Sequence, residues 1–253
     1  MMIVSEHVDL PTPTGVMRTY VHRPTDASTR YPTILLFSEI FQQTGPIERT
    51  ARYVAGHGYV VLVQEVFHEL NPIGTILAYD DAGKDKGNAD KSAKLVTTYD
   101  SDNAAAIAWA KTQPWCSGAF GSMGFCLGGH LAFRAAQQPD VLATACMYAT
   151  DLHTQVIPST PGTHSMDPAR LALITGELMF VFGRQDPHVP QAGRTHIYDK
   201  LNAAAKNFTW HEVNGPHAFM RDEGDRFDPQ LTSLVYSMIF DLFRRRLHKT
   251  ASL

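Results

Sequence analysis

Gly124-Phe125-Cys126-Leu127-Gly128-Gly129-His130 is the stretch whose reading decides the fold. It follows directly on the apolar run 119–123 and runs into a helix-compatible segment, 127–138. Small residues two positions either side of a cysteine, at a strand-to-helix turn, make a Gly-x-nucleophile-x-Gly elbow with cysteine in the usual serine's place. The spacing has a steric reason: a nucleophile on so sharp a turn sits in a strained backbone conformation, and small flanking residues let neighbouring chains approach. The turn would set the sulfur at a helix N-terminus, where free N–H groups and the dipole favour a thiolate. Taken alone, the string also fits a structural cysteine in a Gly-rich turn. A phosphate loop fits poorly, because nothing completes GxGxxG or a GK[ST] ending.

Outward from the elbow, strands and helices alternate. The runs 33–38 and 59–63 are short, continuously apolar and without alternation, as expected of strands buried on both faces. Further strands are expected at 16–22, 119–123, 142–148, 179–183 and 208–213, and helices from about Pro46 and at 102–111, 127–138 and 191–204. Leu231, Leu234, Val235, Met238, Ile239, Leu242 and Phe243 recur at i, i+3, i+4 and i+7, the clearest helical period in the chain. Such alternation predicts an α/β fold with a mostly parallel central sheet and helices on both faces. Active residues should then gather at the carboxyl ends of the strands.

Two segments exceed ordinary connections. Residues 64–99 are polar and rich in Gly, Asp and Lys, and 149–173 carry Pro158, Pro161, Gly162 and Pro168. Each could be an interdomain linker. Neither side makes a complete second domain, so the preferred expectation is one domain, 1–253, with both segments as loops and short helices roofing a site. The 253 residues carry a formal net charge of −3, 44% hydrophobic and 19% charged, which gives no footprint for nucleic acid. The run 244–246 of three arginines reads as the solvated end of the last helix. No apolar run approaches a membrane span and the start lacks a long apolar signal core, so a cytoplasmic protein without a membrane partner is expected. Cys116, Cys126 and Cys146 have no CxxC spacing and cannot all pair, which suits a reducing compartment. Cys116 reads as a turn residue and Cys146 as core. The remaining histidines, among them His57, His68, His153, His164, His188, His196 and His211, show no metal spacing, so no metal or other cofactor is expected. His130, within the helix after the elbow, is expected to pack or cap.

A nucleophile needs a base and an acid. In α/β-hydrolases these follow in the order nucleophile, acid, histidine. Val181-Phe182-Gly183-Arg184-Gln185-Asp186-Pro187 is a strand ending in a turn with an aspartate. Asn214-Gly215-Pro216-His217 puts a histidine on the loop after the last strand. A loop Asp is usually a cap and a loop His usually solvated. All three groups in the required order, each just beyond a strand, point to one site.

Gly-Phe-Cys-Leu-Gly-Gly, with Gly-Arg-Gln-Asp-Pro-His-Val-Pro and Gly-Pro-His-Ala-Phe, resembles the dienelactone hydrolase (carboxymethylenebutenolidase) family over residues 33–247. The resemblance implies a single-domain α/β-hydrolase with a Cys126–His217–Asp186 triad. It also implies a carboxylate after an early central strand, here Glu39 in Ser-Glu-Ile-Phe, that takes part in forming the thiolate when substrate enters. Read from the residues alone, Glu39 could equally be a solvated loop residue. The oxyanion hole would be the N–H groups of Ile40 and Leu127. Phe125 and Arg221 are the expected substrate contacts. The family pattern has two arginines clamping a substrate carboxylate; Arg221 fits one, but 64–99 holds only Lys84, Lys86, Lys91 and Lys94. A lysine offers a point charge and no bidentate fork, so a lactone or ester of another shape becomes an alternative substrate.

The expected activity is therefore hydrolysis of small lactones or activated esters through a cysteinyl acyl-enzyme, by a monomer or homodimer. The rival readings are a non-catalytic small-ligand-binding protein on the same scaffold, and a thiol redox sensor, which lacks an obvious resolving cysteine.

Overall fold

The computed structural model describes residues 1–248, so the last five residues of the expected 1–253 domain lie outside the described residues. Eight strands form one sheet: β1 (Ile3–Thr12), β2 (Gly15–Pro24), β3 (Tyr31–Phe37), β4 (Val60–Gln64), β5 (Cys116–Phe125), β6 (Val141–Met147), β7 (Glu177–Gly183) and β8 (Phe208–Val213). Their spatial order is β1-β2-β4-β3-β5-β6-β7-β8. The hairpin β1–β2 and the β2–β4 pairing are antiparallel, and every other pairing is parallel.

The continuous apolar runs behave as expected of doubly covered strands. In β3, Ile34 and Leu36 join a core with α1 (Gly45–Gly56) and α7 (Pro229–Leu247), while Leu35 and Phe37 join a core on the opposite face. That second face is covered by α3 (Val96–Lys111) and α4 (Leu127–Ala135). A third cluster sits under α6 (Gln191–Ala203) beside β7. The period read in the last helix buries Val235, Ile239, Leu242 and Phe243, each contributing about 1.5–3 kcal/mol. The sheet is mostly parallel with helices on both faces, as the alternation implied.

Three departures from the sequence reading have clear physical causes. β1 carried no strand signal because it is an edge strand, exposed along Ser5-Glu6-His7 and paired on one side only. The segment 64–99 holds a 13-residue helix, α2 (Asp81–Ala93), and the first turn of α3, which starts at Val96 rather than Asp102. Its Gly and Asp content hid α2, whose N-terminus is closed by the Asp80 carboxylate accepting from Gly83 N–H at 2.8 Å. Gly87 permits a close approach, since a Cβ there would lie 2.7 Å from the Ile40 carbonyl oxygen. Finally, Cys116 is not in a turn: it is the buried first residue of β5. The segment 149–173 contains only the short helix α5 (Pro168–Ala172).

The strand order places a crevice where the chemistry was expected. From β3 the chain crosses to β4 on one side, and then returns to β5 on the other. The loops leaving the carboxyl ends of β3 and β5 therefore diverge, and ligands bind at such a switch point. Glu39 and Ile40 follow β3, and Cys126 follows β5.

Candidate active site

Cys126 joins β5 to α4 with φ 59° and ψ −120°. A non-glycine residue in this region is strained by about 1–3 kcal/mol and persists only where its surroundings over-determine it. Here they do: the Cys126 N–H donates to Met147 O at 3.1 Å, and its carbonyl accepts from Gly129, His130 and Thr150. The end of β3 crosses this turn so closely that a Cβ at position 128 would lie 2.2 Å from the Phe37 carbonyl oxygen. Only glycine fits there, and the close crossing brings residues 38–40 against the N-terminus of α4. The N–H groups of Ile40 and Leu127 donate to no other group among the described residues, so both are free to receive an oxyanion.

Asp186 follows β7 and His217 follows β8. His217 Nδ1–H donates to Asp186 Oδ2 at 2.6 Å, and Asp186 Oδ1 accepts from His188 N–H at 2.8 Å. Both side chains are buried. Burial opposes ionisation of Asp186, but the His217 hydrogen bond and charge outweigh it, and its pKa falls below the ordinary carboxylate value. Burial likewise opposes charge on His217. The nearby Cys126 sulfur, by charge and hydrogen bonding, and Asp186 prevail, holding the imidazolium up to about 10. The charged imidazolium is the form of His217 that this arrangement favours.

Glu39 is buried, with Oε2 3.5 Å from Arg221 Nη1. Desolvation raises its pKa despite the opposing charges of Arg221 and His217 and a hydrogen bond from Tyr79. It is thus not the solvated loop residue that its sequence context allowed. Arg221 also lies 4.2 Å above the Tyr79 ring and donates Nε–H to Glu223 O at 2.9 Å.

These groups share one cavity of about 570 Å³, lined by Glu39, Ile40, Cys126, His217 and Arg221 together with residues of both long segments. Phe125, an expected substrate contact, does not line it; its ring is buried against Tyr148, centroids 6.0 Å apart. Of the four lysines of 64–99, Lys84 and Lys91 reach the cavity. Lys86 pairs with Asp90, and Lys94 is fully buried against Asp102. His130 packs as expected, bonded to Thr150 O and Ser165 Oγ, with burial pushing its pKa down to about 3.

Several cavity residues escaped the sequence reading. His188 lies edge-on to His217 at 4.6 Å, and was legible only as the neighbour of Asp186 in Asp-Pro-His-Val-Pro. Asp151 follows a strand end, a position that could have marked it. Tyr79 stands in a polar stretch without periodicity and gave no signal. Among the described residues, no group of three or more His, Cys, Asp or Glu is arranged to hold a metal ion, and no helix is long and apolar enough to cross a membrane.

Residues 17–247 match the model of the dienelactone hydrolase family. The "Putative carboxymethylenebutenolidase" of Saccharomyces cerevisiae is 35% identical over 257 residues, covering 98% of this chain and 93% of that protein. The carboxymethylenebutenolidase of Pseudomonas knackmussii is 29% identical over 81% of each chain. Among solved structures, the "Putative Dienelactone Hydrolase" of Klebsiella pneumoniae shares the fold at a TM-score of 0.80 and 19% identity, over 97% of this chain and 100% of that one.

Proposed function

Because the chain belongs to the dienelactone hydrolase family, hydrolases of the α/β-hydrolase fold, we propose that it opens small lactones or activated esters through a thioester on Cys126. The observation that carries this reading is geometric: His217 Nδ1 lies 2.6 Å from Asp186 Oδ2, and His217 and Cys126 line one cavity.

In the proposed reaction the substrate carbonyl enters with its oxygen toward the free N–H groups of Ile40 and Leu127. The Cys126 thiolate attacks the carbonyl carbon, and negative charge develops where those donors wait. Collapse expels the ring or ester oxygen, which takes its proton from His217. The neutral imidazole then removes a proton from water, the resulting hydroxide attacks the thioester, and the acid leaves as the thiolate returns. Asp186 holds Nδ1–H throughout, so that Nε2 faces the sulfur. Glu39 assists formation of the thiolate as substrate enters, the role its family resemblance implies. In support, Glu39 and Cys126 both line the cavity, and both act electrostatically on the buried Tyr148 hydroxyl. Arg221 restrains Glu39 and offers its outer N–H groups to a polar substituent. We assign the segments 64–99 and 149–173 to the roof of this single domain, since residues from Tyr79 to Lys91 on α2 and its approach, and Thr150 and Asp151, contribute to the cavity lining. Three free cysteines support a reducing, cytoplasmic setting.

The test is steady-state turnover of a panel of activated esters and enol lactones by wild type and Cys126→Ala. Turnover by wild type, abolished in the variant, is expected. Equal rates in both would overturn the reading, and saturable lactone binding without any turnover would favour the non-catalytic alternative.

A further inference from the structure

The cavity contains cations, yet nearly every one already has a carboxylate. Arg221 lies against Glu39 at 3.5 Å, and Lys84 donates to Asp81 at 2.6 Å. Lys91 of α2 donates to Asp151 Oδ2 at 2.9 Å, a pair whose side chains are only 12% and 14% exposed. Arg226 pairs with no carboxylate among the described residues, but it is exposed at the rim, where water and salt weaken its pull.

The Lys91–Asp151 pair stands out because Asp151 is tied to the nucleophile's own turn. The preceding residue, Thr150, donates its N–H to the Cys126 carbonyl at 3.2 Å, and Thr150 Oγ1 donates to Asp151 Oδ2 at 3.1 Å. Asp151 itself sits at φ 64°, a conformation in which Asp and Asn are tolerated better than other side chains. A carboxylate on an entering lactone would meet Asp151 in the cavity that Cys126 also lines, and would find Lys91 already paired. Like charges this close, in a partly desolvated site, strongly disfavour one partner over its uncharged isostere.

Building on the hydrolytic reading above, we propose that Asp151 sets the substrate class: by occupying Lys91, it makes the cavity select lactones and esters that are uncharged around the acyl group over carboxylated ones. Asp151 acts here as a specificity residue and takes no part in bond making.

The experiment compares kcat/KM for two matched probes, a five-membered enol lactone bearing a carboxylate and its primary amide, with ring opening followed by loss of the enol chromophore. Using the ratio of the two rates on one preparation cancels any loss of folded enzyme. Wild type is expected to favour the amide. Asp151→Asn, which preserves the backbone conformation and frees Lys91, should shift the ratio toward the carboxylate by about tenfold. Lys91→Met, which leaves Asp151 uncompensated, should shift it the other way by a similar factor. A wild type that prefers the carboxylate, or a ratio moving less than about twofold in both variants, would overturn the proposal while leaving the hydrolase reading intact. A wild type that opens neither lactone would overturn the hydrolase reading and this proposal with it.

Discussion

Two histidine–aspartate pairs are buried among the described residues. At the carboxyl ends of β7 and β8, His217 Nδ1 meets Asp186 at 2.6 Å; between the loop after β4 and α3, His68 Nε2 meets Asp102 at 3.2 Å. The residue types are the same and all four side chains are buried, but their surroundings differ. The second oxygen of Asp186 takes a backbone N–H, which leaves its charge to act on His217, whose other face looks toward Cys126 and the cavity. The second oxygen of Asp102 takes the Lys94 ammonium at 2.7 Å, and His68 Nδ1 is buried with no partner among the described residues. One pair has the Cys126 sulfur and open space beside it; the other has a counter-ion and neither. The chemistry thus belongs less to the pair than to what the far ring nitrogen can reach.

That contrast yields graded expectations. Cys126→Ala removes what the first pair serves, and should lower kcat/KM by at least about 10⁴-fold with the unfolding midpoint nearly unchanged. Asp186→Asn keeps the shape but lets the imidazole take the wrong tautomer, and should cost roughly 10³–10⁴-fold in kcat, read in the same assay. Asp102→Asn should do the converse. Leaving the buried Lys94 short of its closest counter-charge should cost about 3 kcal/mol of stability in urea titrations, while kcat/KM per folded molecule stays within about threefold. Were the two aspartates to lose activity alike, the distinction would collapse.

A further expectation concerns pH. Because the folded pKa of His217 is raised from 6.5 to about 10, its charge stabilises the fold fully below about pH 6.5, and that contribution is lost as pH rises through 10. The stability gap between wild type and His217→Gln should therefore narrow from pH 6.5 toward pH 10. A gap that holds constant, or widens, would mean that the imidazolium is not the resident form.

How far these regions were legible follows from the same physics. Cys126, Asp186 and His217 could be proposed together because each stands just past an expected strand, in an order that a strand–helix alternation makes meaningful. The strands 33–38 and 59–63 were visible for their uninterrupted apolar character, which both-face burial demands. Lys94, by contrast, was only one of four lysines in a polar stretch, and the packing of α3 shows it to be an interior counter-ion. Asp151 and Lys91 are 60 residues apart in a polar stretch and a Pro-rich one, and no local pattern could have joined them. Phe125 was drawn toward substrate by its place in the elbow, but alternation along β5 turns its ring into the core. α2 was hidden because its Gly and Asp residues serve close packing and capping rather than turns.

The most direct test of the central claim is rapid acid quenching of the enzyme with an activated lactone, followed by peptide mass spectrometry. An acyl adduct is expected on the peptide holding Cys126, formed before product accumulates, lost on further incubation and absent from Cys126→Ala. Undiminished lactone turnover by Cys126→Ala, with an adduct on another residue or none at all, would contradict it.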